Sequence, residues 1–180
     1  MIQDYNLIAT SEPLNQSAAA RELWMLLRAV GDEEPRVDRS FVKGLIVART
    51  GFDPSDATRK LREEFLRQPD RFRTLLRIIP IEARVQTDMD SLRDGAKVLS
   101  SKIGEGDSFR ITLEKRRTPL RSREVIDAVA EGIPRRVDLE NPDWVVLIEI
   151  IGRTTGLSVV KPDAILNVQK EIARLSANLE

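Results

Sequence analysis

The 180 residues carry 29 basic and 29 acidic side chains, no histidine and no cysteine, so the net charge is zero, and 41% of the residues are hydrophobic. A chain of this size and composition can bury a proper core. The missing imidazoles and thiols exclude His- or Cys-ligated metal sites, Ser-His-Asp and Cys-His catalysis, and a disulfide framework. The apolar run WVVLI (144–148) is far short of the roughly 20 residues of a membrane span. MIQDYNLIAT at the start lacks the basic flank and long apolar stretch of a signal peptide, and the absence of cysteine fits the expected cytoplasmic location.

In chain order, DYNLIAT (4–10) predicts a strand, and residues 14–30 a helix with Leu23, Leu26, Leu27 and Val30 on one face and Gly31 to end it. The acidic stretch DEEPRVDR reads as a loop before a strand over FVKGLIVART (41–50). Asp53 suits an N-cap and Pro54 the first helical position, with Ala57, Leu61 and Phe65 as the buried stripe and Pro69 as the stop. These elements read as β-α-β-α over about seventy residues. RFRTLLRIIPIEARVQT (71–87) is apolar but broken by Pro80, which favours an edge position or a bend over a central strand.

Asp88 predicts a cap for a helix whose Leu92, Ala96, Leu99 and Ile103 share one face and which Gly104 ends. SFRITLE (108–114) alternates as a half-buried strand. Ser122 is placed to cap SREVIDAVAEGI, with Val125, Ile126, Val129 and Ile133 inward. WVVLIEII (144–151) reads as a strand covered on both faces. Residues 152–156 read as a turn into the strand LSVV, and 165–178 as a closing helix. Alternating strands and helices make this an α/β or α+β chain with helices packed on a sheet, divided near Pro69–Asp70 into 1–69 and 70–180.

Charge is uneven in the second part. Residues 109–123 hold Arg110, Lys115, Arg116, Arg117, Arg121 and Arg123 against the single acid Glu114. Arg135 and Arg136 follow, and Arg153 and Lys161 flank the last two strands. Lys and Arg release counterions when they neutralise phosphates, and arginine adds a planar fork. Ser122 and the amides opening the 123–132 helix extend that chemistry. On composition alone, though, charged strand-to-helix corners are more often solvated surface. Asp88-Met89-Asp90 reads as a cap rather than a metal pair, and Asp138, Glu140 and Asp143 as a solvated turn. Phe109 and Trp144 read as core. No glycine-rich cofactor fingerprint occurs, since Gly104-Glu105-Gly106 reads as a turn. No cofactor and no metal are expected.

The ordered series RIIPIEA (77–83), a helix ending at Gly104, GDSFRITLEKRR (106–117), SREVIDAVA (122–130), VDLENPDWVVLIEIIG (137–152) and TGLSVV (155–160) resembles the THUMP domain. The resemblance implies an RNA-binding module of the kind usually fused to tRNA-modifying catalytic domains. Such a module is typically preceded by a ferredoxin-like domain, and the pair holds the acceptor stem and single-stranded 3′ end of tRNA. It makes Lys115, Arg116 and Arg117 the first RNA contacts. Arg121, Ser122 and Arg123 come next, while Arg110, Arg135, Arg136, Arg153 and Lys161 join the candidate set on charge alone. THUMP enzymes carry a catalytic domain after this module, whereas the sequence stops at Glu180. It therefore looks like the stand-alone THUMP adaptors, non-enzymes that present tRNA to a separate N(4)-acetylcytidine acetyltransferase. The alternative is a protein-interaction or small-ligand module of ferredoxin-like type without RNA binding.

Overall fold

The computed structural model describes residues 1–178 and divides into two compact units. The first runs from Met1 to Pro80 and resumes at Asp163; the second is Ile81–Pro162. The division falls later than Pro69–Asp70 because the apolar stretch after Phe72 pairs with the first strand of the chain. The end of the predicted second domain, residues 179–180, lies outside the described residues.

In the first unit, β1 (Leu7–Ser11), α1 (Gln16–Ala29), β2 (Arg36–Arg39), β3 (Leu45–Arg49), α2 (Pro54–Arg67) and β4 (Leu75–Pro80) follow in a β-α-β-β-α-β order. Their antiparallel sheet runs β4-β1-β3-β2, the ferredoxin-like arrangement, and β10 (Leu166–Asn167) adds a short strand beside β4. The acidic loop of the sequence reading contains β2, and the following strand starts at Leu45 rather than residue 41. Residues 40–44 turn instead, because Gly44 takes φ +79° and the Ser40 hydroxyl accepts the Val42 N–H. Asp53 caps α2 as its sequence predicts, accepting the N–H groups of Ser55 and Asp56. Leu23, Leu27, Ile46, Leu61, Phe65 and Leu166 share one core, with Phe65 and Phe72 edge to face at 5.3 Å. α5 (Val168–Ala177) closes this unit.

Pro80 sits at the end of β4, which lies between β10 and β1 and is not an edge. Of the two roles its sequence allows, it takes the bend, since the next strand, β5 (Ala83–Gln86), belongs to another sheet. That second sheet runs β5-β9-β8-β6-β7, with β6 (Ser108–Arg116), β7 (Arg136–Val137), β8 (Trp144–Ile151) and β9 (Thr154–Val160). β6 is parallel to both β7 and β8, and the other pairs are antiparallel, so the sheet is mixed. α3 (Met89–Leu99) and α4 (Ser122–Glu131) cover one face. Leu92, Ala96, Phe109, Val125, Val146 and Ile148 form the core between them. Phe109 is fully buried, as expected of core, whereas Trp144 is only partly so. Asp88 caps α3 through the Ser91 N–H. Among the described residues no helix is long and apolar enough to cross a membrane.

Candidate nucleic-acid interface

The direction of β6 sorts the basic residues into two groups. Its nine residues cover roughly 26 Å at about 3.3 Å per step, so its two ends are well separated. The loop after Arg116 leads into α4, which runs back along the sheet and returns the chain to β7 beside Ser108. Lys115, Arg116, Arg117, Arg121, Ser122 and Arg123 therefore gather at the far end of β6. Arg110, Arg135, Arg136 and Lys161 lie at the opposite end.

At the far end, β6 and β8 finish together, with Arg116 opposite Ile151. The Gly152 N–H donates to the Arg116 carbonyl at 2.8 Å. Gly152, at φ +62°, and Arg153 are the only two residues between β8 and β9. Glycine at the first position of a two-residue hairpin loop lets the backbone follow the strand twist. The expected turn over 152–156 is therefore shorter, and Gly156 lies within β9. This hairpin brings Arg153 alongside the Arg116–Arg117 corner, although the two arginine positions are far apart in sequence.

The side chains at this end differ in what holds them. Lys115 Nζ donates to the Leu120 carbonyl at 2.8 Å. Arg116 Nη1 meets the carboxylate of Glu149, a fully buried side chain, at 2.7 Å. Arg121 faces Glu124 at 3.8 Å and Arg123 faces Asp127 at 3.5 Å, both loose exposed pairs. Arg117 and Arg153 are exposed, and among the described residues neither guanidinium has a hydrogen bond or ion pair. Arg117 also takes φ +57°, a left-handed conformation that non-glycine residues rarely adopt. Ser122 is exposed but does not cap α4. Arg121 occupies the cap position, with extended backbone, and its side chain makes no cap hydrogen bond.

At the opposite end the cations are engaged by their own surroundings. Arg135 donates to the carbonyls of Ile103 and Pro134, and Arg110 to that of Leu139. Arg136 lies 3.7 Å from Asp138. Lys161 Nζ sits over the Trp144 ring, 3.8 Å from its centroid, while the indole N–H donates to Asp107. Asp143 accepts the backbone N–H and hydroxyl of Ser108, which hold its carboxyl below the usual aspartate range, with Lys161 and Arg136 adding attraction. Asp138, expected in a solvated turn, accepts the N–H groups of Glu140 and Asn141.

The sequence reading thus named the basic residues but missed Glu149, which removes Arg116 from the freely available set. Its only sequence signal was a lone acid inside the apolar run WVVLIEII. The adjacency of Arg117 and Arg153 had no local signal. Among the described residues no group of three Asp or Glu side chains is placed to hold a metal ion.

The sequence model of the THUMP domain matches residues 86–160. No curated protein matches the chain. Among solved structures, the chain is similar to PH1313 from Pyrococcus horikoshii Ot3, at 22% identity and a TM-score of 0.62, over 87% of this chain and 55% of that one. It is similar to TrmN from Thermus thermophilus at 20% identity and a TM-score of 0.56, over 85% and 44% of the two chains. A 4-thiouridine synthetase, in a structure with RNA and bound ATP, gives 12% identity and a TM-score of 0.56, over 88% and 42%. These identities establish a shared fold alone, and the chain spans about half the length of the structures it matches. The mixed sheet and two helices of the second unit are accordingly a THUMP domain, at residues 86–160.

Proposed function

We propose that this chain binds tRNA through the far end of β6 and presents the acceptor stem and 3′ end to a modifying enzyme, with the chemistry supplied from outside these 180 residues. The observation that carries this reading is a THUMP domain bearing exposed arginines at one end of its sheet. Likeness in fold to a 4-thiouridine synthetase solved with RNA supports RNA as the ligand. The side-chain inventory holds no His, no Cys and no glycine-rich cofactor fingerprint, so any acid–base chemistry of these residues would fall to carboxylates, lysines, hydroxyls and one tyrosine. The partner that fits the adaptor resemblance is the tRNA N(4)-acetylcytidine acetyltransferase, acting in the cytoplasm.

Recognition would rest on phosphates and on RNA shape, because double-stranded RNA offers proteins its backbone and 2′-hydroxyls more readily than its base edges. Tight tRNA binding that falls steeply with salt is the expected result of a titration by fluorescence anisotropy. Salt-insensitive or absent binding would overturn the RNA reading. Addition of the protein to a cytidine acetyltransferase and tRNA should raise acetylation in trans. No stimulation would leave RNA binding and remove the adaptor role.

A further inference from the structure

We propose that Arg117 and Arg153 form a two-arginine clamp on a single phosphodiester of the bound RNA, mounted by Arg116 and Gly152. This inference rests on the tRNA-binding reading and narrows it from a basic surface to one contact.

Of the eleven polar and basic candidates, these are the two arginines left without a partner among the described residues. They also sit on neighbouring chain segments. The Gly152 N–H to Arg116 carbonyl bond ties together the two segments that carry them. Two unpaired cations carried on neighbouring segments repel when their arms converge, so an anion between them is the arrangement that relieves the repulsion. The backbone points the same way. Arg117 holds a left-handed conformation that glycine adopts without strain, so the cost is borne by a position whose side chain is turned to solvent.

The mounts are fixed. Arg116 is pinned through its side chain to Glu149 and through its carbonyl to Gly152. The Arg153 carbonyl accepts the Thr87 N–H at 2.9 Å, which anchors the hairpin turn to the end of β5. Only the two guanidinium arms remain to be ordered on binding. Each is a planar fork of donors, and two forks from neighbouring turns can address both non-bridging oxygens of one phosphodiester. Arg121 and Arg123, on the exposed face of α4 with acids four or fewer residues away, lack such mounting.

The test is a double-mutant cycle on tRNA affinity across a salt series, using Arg117→Gly, Arg153→Ala and the combination. Each single change is expected to weaken binding about tenfold, as loss of a charge-assisted hydrogen bond does. The combination should weaken it little further, because either loss opens the clamp. The slope of log affinity against log salt should fall by about one, the signature of a single phosphate. Arg117→Gly should melt no lower than the parent, since it removes left-handed strain, so lost binding cannot be assigned to unfolding. Additive losses with a slope change of two would mean two independent contacts and would overturn the clamp. Parent-like affinity in the double variant would also overturn it, while leaving tRNA binding intact. Failure of the parent protein to bind tRNA would remove the functional reading itself.

Discussion

Arg116 and Glu149 meet at 2.7 Å from diagonal positions on the parallel strands β6 and β8, where the Cα partner of Glu149 is Glu114 and that of Arg116 is Ile151. The carboxylate is 1% exposed and the arginine 18%, so the pair is largely out of water. Removing one member of such a pair costs far more than the pair contributes net, because a charge stays buried. Arg116→Ala is expected to lower stability by roughly 3 kcal/mol, read as a shift in the urea midpoint. Replacing both residues by apolar ones should cost less than the sum of the single changes. A parent-like midpoint for Arg116→Ala would show that the contact holds nothing.

Gly44 supports the β2–β3 turn, and a methyl group there would meet a wall. Its φ is +79°, and an added Cβ would lie 2.6 Å from the Ser11 carbonyl oxygen, which is backbone and cannot swing away. Gly44→Ala is expected to destabilise the protein by about 2–3 kcal/mol. Gly106→Ala serves as the contrast, because nothing lies within 4 Å of its Cβ position, and its melting temperature should stay close to the parent's. Equal melting temperatures for the two variants would contradict this account.

Acid should unfold the protein through carboxylates that are paired when folded. Arg67, then Arg71, hold Glu64 below the ordinary glutamate value of 4.5, against the opposing effect of burial. A depressed folded pKa means that the unfolded chain takes up its proton first as pH falls. The associated stability is thus complete above about pH 4.5 and is lost below it, as pH falls through the folded value. Asp143 and Asp38 carry the same sign, from Ser108 and from the N-terminal ammonium respectively. Glu64→Gln should lower stability at neutral pH and flatten the decline below pH 4.5. Parallel pH profiles for the variant and the parent would refute the assignment.

Arg62 fastens the returning chain segment. Its Nε pairs with Glu171 at 3.1 Å, and its Nη2 donates to the carbonyls of Asp163 and Ile165 at 2.7 and 2.9 Å. β10 itself contributes only two residues to the sheet. Arg62→Ala is expected to raise amide exchange across 163–177 by about tenfold or more, given what charge-assisted hydrogen bonds contribute. The rest of the first unit should exchange as before. Unchanged protection in 163–177 would place the fastening elsewhere.

Helix starts were legible in the sequence because capping is local: Asp53 and Asp88 bond amides two or three residues ahead. The ferredoxin-like unit was expected only through the THUMP resemblance, the residues themselves reading as β-α-β-α; β2 and the two-residue β7 and β10 were not legible, since their pairing partners are distant and their patterns are short. Ser122 misled as a cap because Arg121, not Ser122, adopts the extended backbone before α4. The basic run after β6 stood out at once. What charge counting could not supply was which cations are already spoken for: Arg116 by Glu149, Arg135 by two carbonyls, Lys161 by the Trp144 ring. Those partners come from other strands and loops, and so does the neighbour relation of Arg117 and Arg153.

The chain leaves its first unit at Pro80 and re-enters at Asp163, and the second unit keeps its own two ends together. Glu82 and Val159 are joined by a 2.7 Å bond from the Val159 N–H to the Glu82 carboxylate, and the Glu82 N–H donates to the Leu157 carbonyl. A folded insert therefore acts as a short bridge between β4 and β10. Unfolded, the same residues become a long flexible loop whose closure costs on the order of 4 kcal/mol in entropy. Loss of order in the THUMP-bearing unit should thus loosen β10 and α5 through covalent connectivity alone, and fraying of that last segment should lower the insert's stability by the same amount. The coupling is reciprocal, so the docked last segment also favours the folded insert by the same loop-closure term.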